Sequence, residues 1–339
     1  MSMNFGPGAY RFFLAMLVLV HHTSSLGLGA GAVYVFFCLS GYWMHTVWEK
    51  KYAKADHGYR TFILARLIRL LPLFWLANVI GYAADIYSGR FSVDAWWAQM
   101  HSLPKLAHFV FSHLFLMGYC WLDHMAIAPA WSLVVELQFY LLLPLMVILM
   151  RWLGWWVLPL SAAWGFGLHG TPAFGTVLGY AFFFYLGMLA SQTKWAPSAQ
   201  AARISAGGAI LVAGCLIAMP STSSVLIGGK SGQNDIYWHW NDLANAMLAV
   251  LVLPLTIWSA EIKAGQRDRM LGDMSYAVYL IHAPLVSFYG LWFGGLPFLQ
   301  RLPYWMVMVS VVMGVSWLAW RWVDKPVMLW RERYLLARI

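Results

Sequence analysis

The stretch from Ala9 to Leu26 constrains this chain more than any other. Its length suits a membrane-spanning helix, which needs roughly 20 mainly apolar residues. Yet it carries Arg11, His21 and His22. A cation inside a bilayer is expensive, and such a residue usually faces a bundle interior or a wet cavity. Arg11 and His22 are eleven positions apart, about three helical turns plus roughly 20°, so they share one helix face at about 16 Å separation. His21 is turned about 100° away. One face therefore holds a fixed positive charge near one end and a titratable imidazole about half a bilayer deeper. That arrangement suits an anchor for an anionic ligand and a base at its reactive end. Arg11 snorkelling to the interface, or an interfacial histidine, would account for either residue alone. The pair on one face, followed by Thr23, Ser24 and Ser25, points to function.

The rest of the 339-residue chain agrees with a membrane setting. It is 61% hydrophobic and 10% charged, against about 25% charged in soluble domains, and its mean hydropathy is +0.64. The apolar runs are of helix length, not the short alternating segments of an outer-membrane barrel. The expected fold is an all-α polytopic bundle. The net charge of +9 resides between spans and near the C-terminus, as the positive-inside rule expects, so nucleic acid is not an expected partner and membrane lipids are. Cys38, Cys120 and Cys215 show no disulfide, zinc or redox spacing. No His pair has the i, i+4 spacing with an acidic partner of a zinc hydrolase, so no metal is expected. The first span lacks a preceding basic region and is expected to remain in place rather than serve as a cleaved leader.

Hydropathy marks eleven segments, 9–27, 31–48, 67–86, 106–121, 132–150, 154–169, 173–190, 204–220, 243–260, 272–293 and 303–322. Basic residues at 49–69, 263–269 and 321–338 place those stretches in the cytoplasm. Consistent alternation then requires one of the segments 67–86 and 106–121 not to cross. The shorter, 106–121, holding His108, Ser112 and His113, is assigned as interfacial or re-entrant. About ten spans remain, with both termini cytoplasmic. The outer loops, 85–131 and 221–242, mix tryptophans (Trp96, Trp97, Trp238, Trp240) with Asp85, Asp94, Asp123, His124, Asn234 and Asp242. That mixture suits carbohydrate contact or an interfacial aromatic belt. No repeat or soluble domain is visible, so residues 1–339 read as one integral membrane domain.

Four further phrases bear polar residues inside or beside apolar runs. Ser40-Gly41, in the second span, allows close approach of a ligand or of a neighbouring helix. Arg66 and Arg69 are three apart on one helical face. They can clamp phosphate oxygens, or bind lipid headgroups and fix topology. Ser132 and Glu136 lie one turn apart, with Glu136 inside an apolar run. Glu136 can orient an imidazolium at His22, bind acceptor hydroxyls, or pair with an arginine. Ser275, Tyr279 and His282 share a face at spacings of four and three.

Together these phrases resemble the acyltransferase-3 family of integral membrane O-acyltransferases, the type that acetylates bacterial O-antigens and exopolysaccharides. Arg11 and His22 match its first-helix signature, and Phe36 to Tyr42 its Phe-Phe-x-Leu-Ser-Gly-Tyr phrase. Arg66, Arg69 and Pro72, then Trp131 to Tyr140, then Ser275 to His282 follow in the family's order. One departure is Tyr34, where many members carry an acid; its role is then absent or met elsewhere, for instance by Glu136. The soluble hydrolase-like domain of some longer members is not expected here.

The resemblance implies a membrane enzyme that transfers an acyl group, acetyl by expectation, from cytoplasmic acetyl-CoA or another acyl-CoA. The acceptor would be a hydroxyl of a cell-surface or lipid-linked glycan. His22 would be the base, or a transient acyl carrier, with Arg11 and Glu136 as catalytic partners and Arg11, Arg66 and Arg69 meeting the donor. Ser40, Trp131, Ser132, Tyr279 and His282 would bind acceptor or serve structure. The setting would be a bacterial-type cytoplasmic (inner) membrane. The competing class is a transporter or flippase for an anionic lipid or metabolite, since intramembrane Arg, His and Glu suit that equally. The sequence leaves oligomeric state open.

Overall fold

A computed structural model describes residues 6–100, 102–228 and 235–335; Asn234, and the side chains of Trp238 and His239, fall outside that description. The chain is all-helical, with no strand among the described residues. The helices are α1 (Pro7–Thr23), α2 (Gly29–Val47), α3 (Gly58–Tyr87), α4 (Val93–Gln99), α5 (Leu103–Phe115), α6 (Trp131–Leu153), α7 (Val157–Gly167) and α8 (Val177–Gln192). They continue as α9 (Ala199–Ala218), α10 (Ser223–Leu226), α11 (Asp235–Leu251), α12 (Leu253–Glu261), α13 (Gln266–Phe293), α14 (Phe298–Ala319) and α15 (Lys325–Tyr334).

All eleven hydropathic segments fall on helices. Among the described residues, five helical stretches are long and apolar enough to cross a membrane, and the bent pair α11–α12 makes a sixth if taken as one span. The number falls below ten for identifiable reasons. Helices α1 and α8 have 17 and 16 residues, and α2 dilutes its apolar run with Tyr42, Trp43 and His45. The 40-residue stretch Ala128–Gly167 would extend about 60 Å if straight, twice a hydrocarbon core of about 30 Å. Gly154, in the left-handed region at φ 55°, interrupts it between α6 and α7. Helix α5, at 13 residues, reaches only about 20 Å.

Two boundaries depart from the hydropathy reading. The segment 243–260 is two helices bent by 47°. Pro254 enters at the first turn of α12, where it can neither donate to the preceding turn nor avoid its carbonyl. Helix α3 begins at Gly58 rather than near 67, because hydropathy overlooks a polar helical turn that carries Arg60, Arg66 and Arg69.

The chain divides into two compact units. The first comprises 1–47, 143–174 and 178–275; the second comprises 48–142, 175–177 and 276–339. In the first, α2 packs against α1, α11 and α12, and α9 against α10, α11 and α12. Gly41 and Gly187 set the α2–α8 crossing: a Cβ at either would collide with the other helix's backbone, at Phe184 and at Cys38 respectively. Gly41 thus serves close helix packing. Phe37 stacks on Phe184 at 4.8 Å beside that crossing. In the second unit, α3 packs against α5, α15 and the π-helical turn Trp320–Asp324, around buried Phe62, Phe74, Tyr119 and Phe139.

Candidate functional site

Helix α1 is seated at both ends. Its N-terminus has no side-chain cap of its own. Instead Asp268, in the first turn of α13, accepts from the Gly8 and Ala9 amides at 3.0 and 2.9 Å. A carboxylate there satisfies two orphan donors and meets the positive end of the helix dipole. A Cβ at Gly8 would collide with the Asp268 carbonyl oxygen, so only glycine permits the approach. One turn on, the Tyr10 hydroxyl is 3.0 Å from Thr256 Oγ1 of α12.

The other end is held by two buried amides of α11. Asn241 Nδ2 donates to the Gly27 and Val225 carbonyls, both at 2.9 Å. Asn245 Nδ2 donates to Gly27 at 2.8 Å, and its Oδ1 accepts from the Gly31 amide at 2.9 Å. The α1–α2 connection is therefore clamped directly after the histidine pair. Thr23 and Ser24 donate back to the Leu19 and Val20 carbonyls at 2.9 and 2.7 Å, so these hydroxyls finish the helix. His21 Nδ1 lies 3.0 Å from the Leu26 carbonyl, which only accepts, so that nitrogen carries the proton. A Cβ at Gly29 would sit 2.6 Å from the His21 ring. His21 thus packs the connection, and its ring meets His22 edge-on at 5.0 Å.

Arg11 and His22 are both half-buried. Because α1 is one unbroken helix, the shared face and the separation of about 16 Å hold. The Arg11 guanidinium lies 5.6 Å from the centre of the Trp43 ring on α2, a cation–π contact. Tyr34 stacks on Phe183 at 4.4 Å and donates to Asp242 Oδ1 at 3.3 Å. A carboxylate from α11 thus stands beside Tyr34. Asp242 Oδ2 also meets His169 Nε2 at 3.1 Å. These three polar groups line a largely apolar cavity of about 1170 Å³ between α2, α7, α8 and α11.

The second unit holds a cationic cluster. Arg69 pairs with Asp324 at 3.0 Å and lies over the Tyr276 ring at 5.6 Å. Arg66 lies over Phe62 at 5.6 Å. Arg331, from α15, joins them. Burial first, and then the neighbouring charges of Arg66 and Arg69, bring its guanidinium down to about 10. Three cations so gathered, offset by Asp324 and in part by Glu332, favour an anion with several oxygens.

Glu136 is half-buried and accepts from the Tyr140 hydroxyl. Ser132 Oγ lies 2.7 Å from Tyr279 Oη, and both hydroxyls reach the Pro129 carbonyl at 3.1 Å. His282 is fully buried, with Nδ1 3.0 Å from the Val278 carbonyl of its own helix. The Ser132–Tyr279 contact ties the start of α6 to α13, while the His282 bond lies within α13. Trp131 opens α6 half-buried. Among the described residues no group of three or more His, Cys, Asp or Glu converges as a metal site would require.

Sequence reading missed Asp268, Asn241, Asn245 and Arg331. Asn241 and Asn245 left a trace, two amides at i, i+4 on one face of an otherwise apolar helix; Asp268 left none, because its partners are about 260 positions away.

Three curated relatives from Staphylococcus aureus, of strains MSSA476, MRSA252 and MW2, each named "Putative O-acetyltransferase", are 26% identical to this chain over 168 residues. The match takes in 43% of this chain and 25% of each relative, so the chain spans about a quarter of their length. No solved structure matches. The family model described as an acyltransferase domain matches residues 6–321, and the chain belongs to the acyltransferase-3 family.

Proposed function

We propose that this protein is a ten-span enzyme of a bacterial-type cytoplasmic membrane, with both termini cytoplasmic. It moves an acetyl group from acetyl-CoA to a hydroxyl of a cell-surface or lipid-linked glycan. The observation that carries the reading is the half-buried pair Arg11 and His22 on one face of an apolar helix seated at both ends. The fixed seating matters because a base must be held within hydrogen-bond reach of the proton it takes.

The donor's phosphates meet Arg66, Arg69 and Arg331, whose crowding an anion would relieve. Arg11 also binds the donor. His22 accepts the proton of the acceptor hydroxyl as that oxygen attacks the thioester carbonyl, and imidazole suits this exchange near neutral pH. The new C–O bond forms, the C–S bond breaks, and the CoA sulfur leaves with the proton that His22 returns. The apolar cavity with Tyr34, His169 and Asp242 at its wall favours the lipid-linked form of the acceptor, since hydrocarbon fills such a space without unpaired polar groups.

The test is release of CoA thiol from acetyl-CoA by protein in lipid nanodiscs, with and without a crude glycan extract, for wild type and His22→Ala. Glycan-dependent release that His22→Ala abolishes supports the reading. Full activity in His22→Ala removes the assigned base. Binding of acetyl-CoA without any thiol release under either condition would favour a transporter.

A further inference from the structure

The second unit contains a pocket that the donor chemistry does not use. It has a volume of about 360 Å³, toward the small end of ligand pockets, which run about 300–1,000 Å³. Its walls are aromatic: Phe91, Trp96, Phe109 and Trp121. Trp96 lies 4.9 Å from Phe109 and 6.3 Å from Phe91, ring centre to ring centre, so these three form one continuous wall. Arg90, Lys105, His108, Asp123 and His124 stand among them.

The polar side is built rather than incidental. Asp85, only 5% exposed, accepts from Arg90 with one carboxylate oxygen and from His124 Nε2, at 2.9 Å, with the other. Arg90 Nε donates to Ser88 at 3.1 Å. The Asp85 carbonyl receives the Arg90 and Phe91 amides at 2.9 and 3.1 Å, closing the turn that follows α3. Gly89, at φ 71°, permits that turn. His108 Nε2 lies 3.1 Å from the Gly118 carbonyl. With Nε2 engaged on both rings, Nδ1 of His108 and of His124 is the remaining acceptor of each neutral imidazole.

The chemistry of such a pocket is narrow. Aromatic faces take up a ring with an apolar C–H face. A guanidinium and a carboxylate, those of Arg90 and Asp123, take up adjacent hydroxyls as acceptor and donor. Arg90 is paired with Asp85 behind the wall, and Lys105 is matched in formal charge by Asp123 on it. That balance disfavours an anion and an ammonium group alike. We infer that this pocket holds one neutral pyranose ring, a sugar of the acceptor glycan. The inference rests on the glycan-acylating reading above, and it assigns an acceptor subsite to the loops between α3 and α6.

The experiment is saturation-transfer NMR with the full chain in lipid nanodiscs. The probes are the methyl glycosides of glucose, galactose, mannose and N-acetylglucosamine, with empty nanodiscs as blank. At least one glycoside should receive saturation, strongest on ring C–H protons. Trp121→Ala and Asp123→Asn should each cut that signal at least fivefold. Both positions are exposed, so neither change removes core packing. Trp121→Phe, which keeps an aromatic face, should retain more than half of it. His22→Ala should retain all of it, since α1 contributes nothing to this pocket. No signal from any of the four glycosides, or a signal that Trp121→Ala leaves unchanged, overturns the subsite. Thiol release measured on the same samples separates the two readings. Saturation without thiol release sinks the enzyme and keeps the sugar pocket; glycan-dependent thiol release without saturation does the reverse.

Discussion

The two units hold their polar residues in different ways. Around α1 and α11 the fastenings are mainly neutral: Asn241 and Asn245 on carbonyls, Tyr10 on Thr256, glycines against backbone. Where carboxylates take part, Asp268 meets backbone amides and Asp242 meets Tyr34 and His169. Around α3 the fastenings are charged: Asp324 on Arg69, and Asp85 on Arg90 and His124. The difference agrees with what the proposed reading asks of each region. A titratable base works best where its surroundings do not change charge near neutral pH. A phosphate site needs concentrated positive charge, and buried carboxylates keep that charge from forcing its own helices apart.

The comparison breaks most plainly at His22. Replacing it by alanine should lower acyl transfer by about 10²–10⁴-fold, the usual worth of a positioned general base. The melting temperature should hardly move, because the side chain is half-buried and the clamp lies beyond it. Equal loss of folding would make His22 a packing residue. Asn245→Ala should do the opposite. It strips the Gly31 amide and one donor from the Gly27 carbonyl inside the protein. Asn241 still holds the Gly27 carbonyl, so the Gly31 amide is the buried group left unsatisfied, and about 1–3 kcal/mol of stability should disappear. Thermal unfolding in detergent reads that loss, and activity should fall only through it.

The charged side is sharpened by Arg331→Ala. It removes one of three crowded guanidiniums, so KM for acetyl-CoA should rise about tenfold, worth about 1.4 kcal/mol, with kcat within twofold. Stability should not fall, since the remaining cations lose a like-charged neighbour. Acetyl-dephospho-CoA locates the contact. If wild type and variant then share one KM, Arg331 meets the phosphate that this analogue lacks. An unchanged KM for acetyl-CoA would remove the cluster from the donor site.

How much of this the sequence carries depends on range. Apolar runs locate all eleven segments, because a membrane-length helix is a local pattern. The extension of α3 to Gly58 escapes the same test, because that turn is polar and its helicity comes from packing against Trp48–Tyr52 and α15. Arg11 and His22 are legible together because helical geometry alone puts them on one face. Arg331 is not, since its meeting with Arg66 and Arg69 joins positions more than 260 apart. The Tyr34–Asp242 bond shows the same limit, since it joins residues 208 positions apart.

The smallest expected effect sits at His113, in α5, and it tests whether the charged unit is also the pH-sensitive one. His113 Nδ1 donates to the Phe109 carbonyl at 2.7 Å, and Nε2 lies 3.1 Å from the Tyr82 hydroxyl. Burial lowers its pKa below the ordinary 6.5, against the opposing pull of the Phe109 carbonyl. In the unfolded chain the ring takes a proton near pH 6.5; in the folded chain it does so only at lower pH. Between those values the unfolded state binds more protons, so stability falls as pH falls through that window and is fully present above it. The melting temperature of the wild type should therefore decline from pH 7 to pH 5 by more than that of His113→Gln, which cannot titrate. The excess should be smaller than the loss in Asn245→Ala. Parallel pH profiles would show that His113 is hydrated in the folded protein and that its titration does not set the stability of the charged unit.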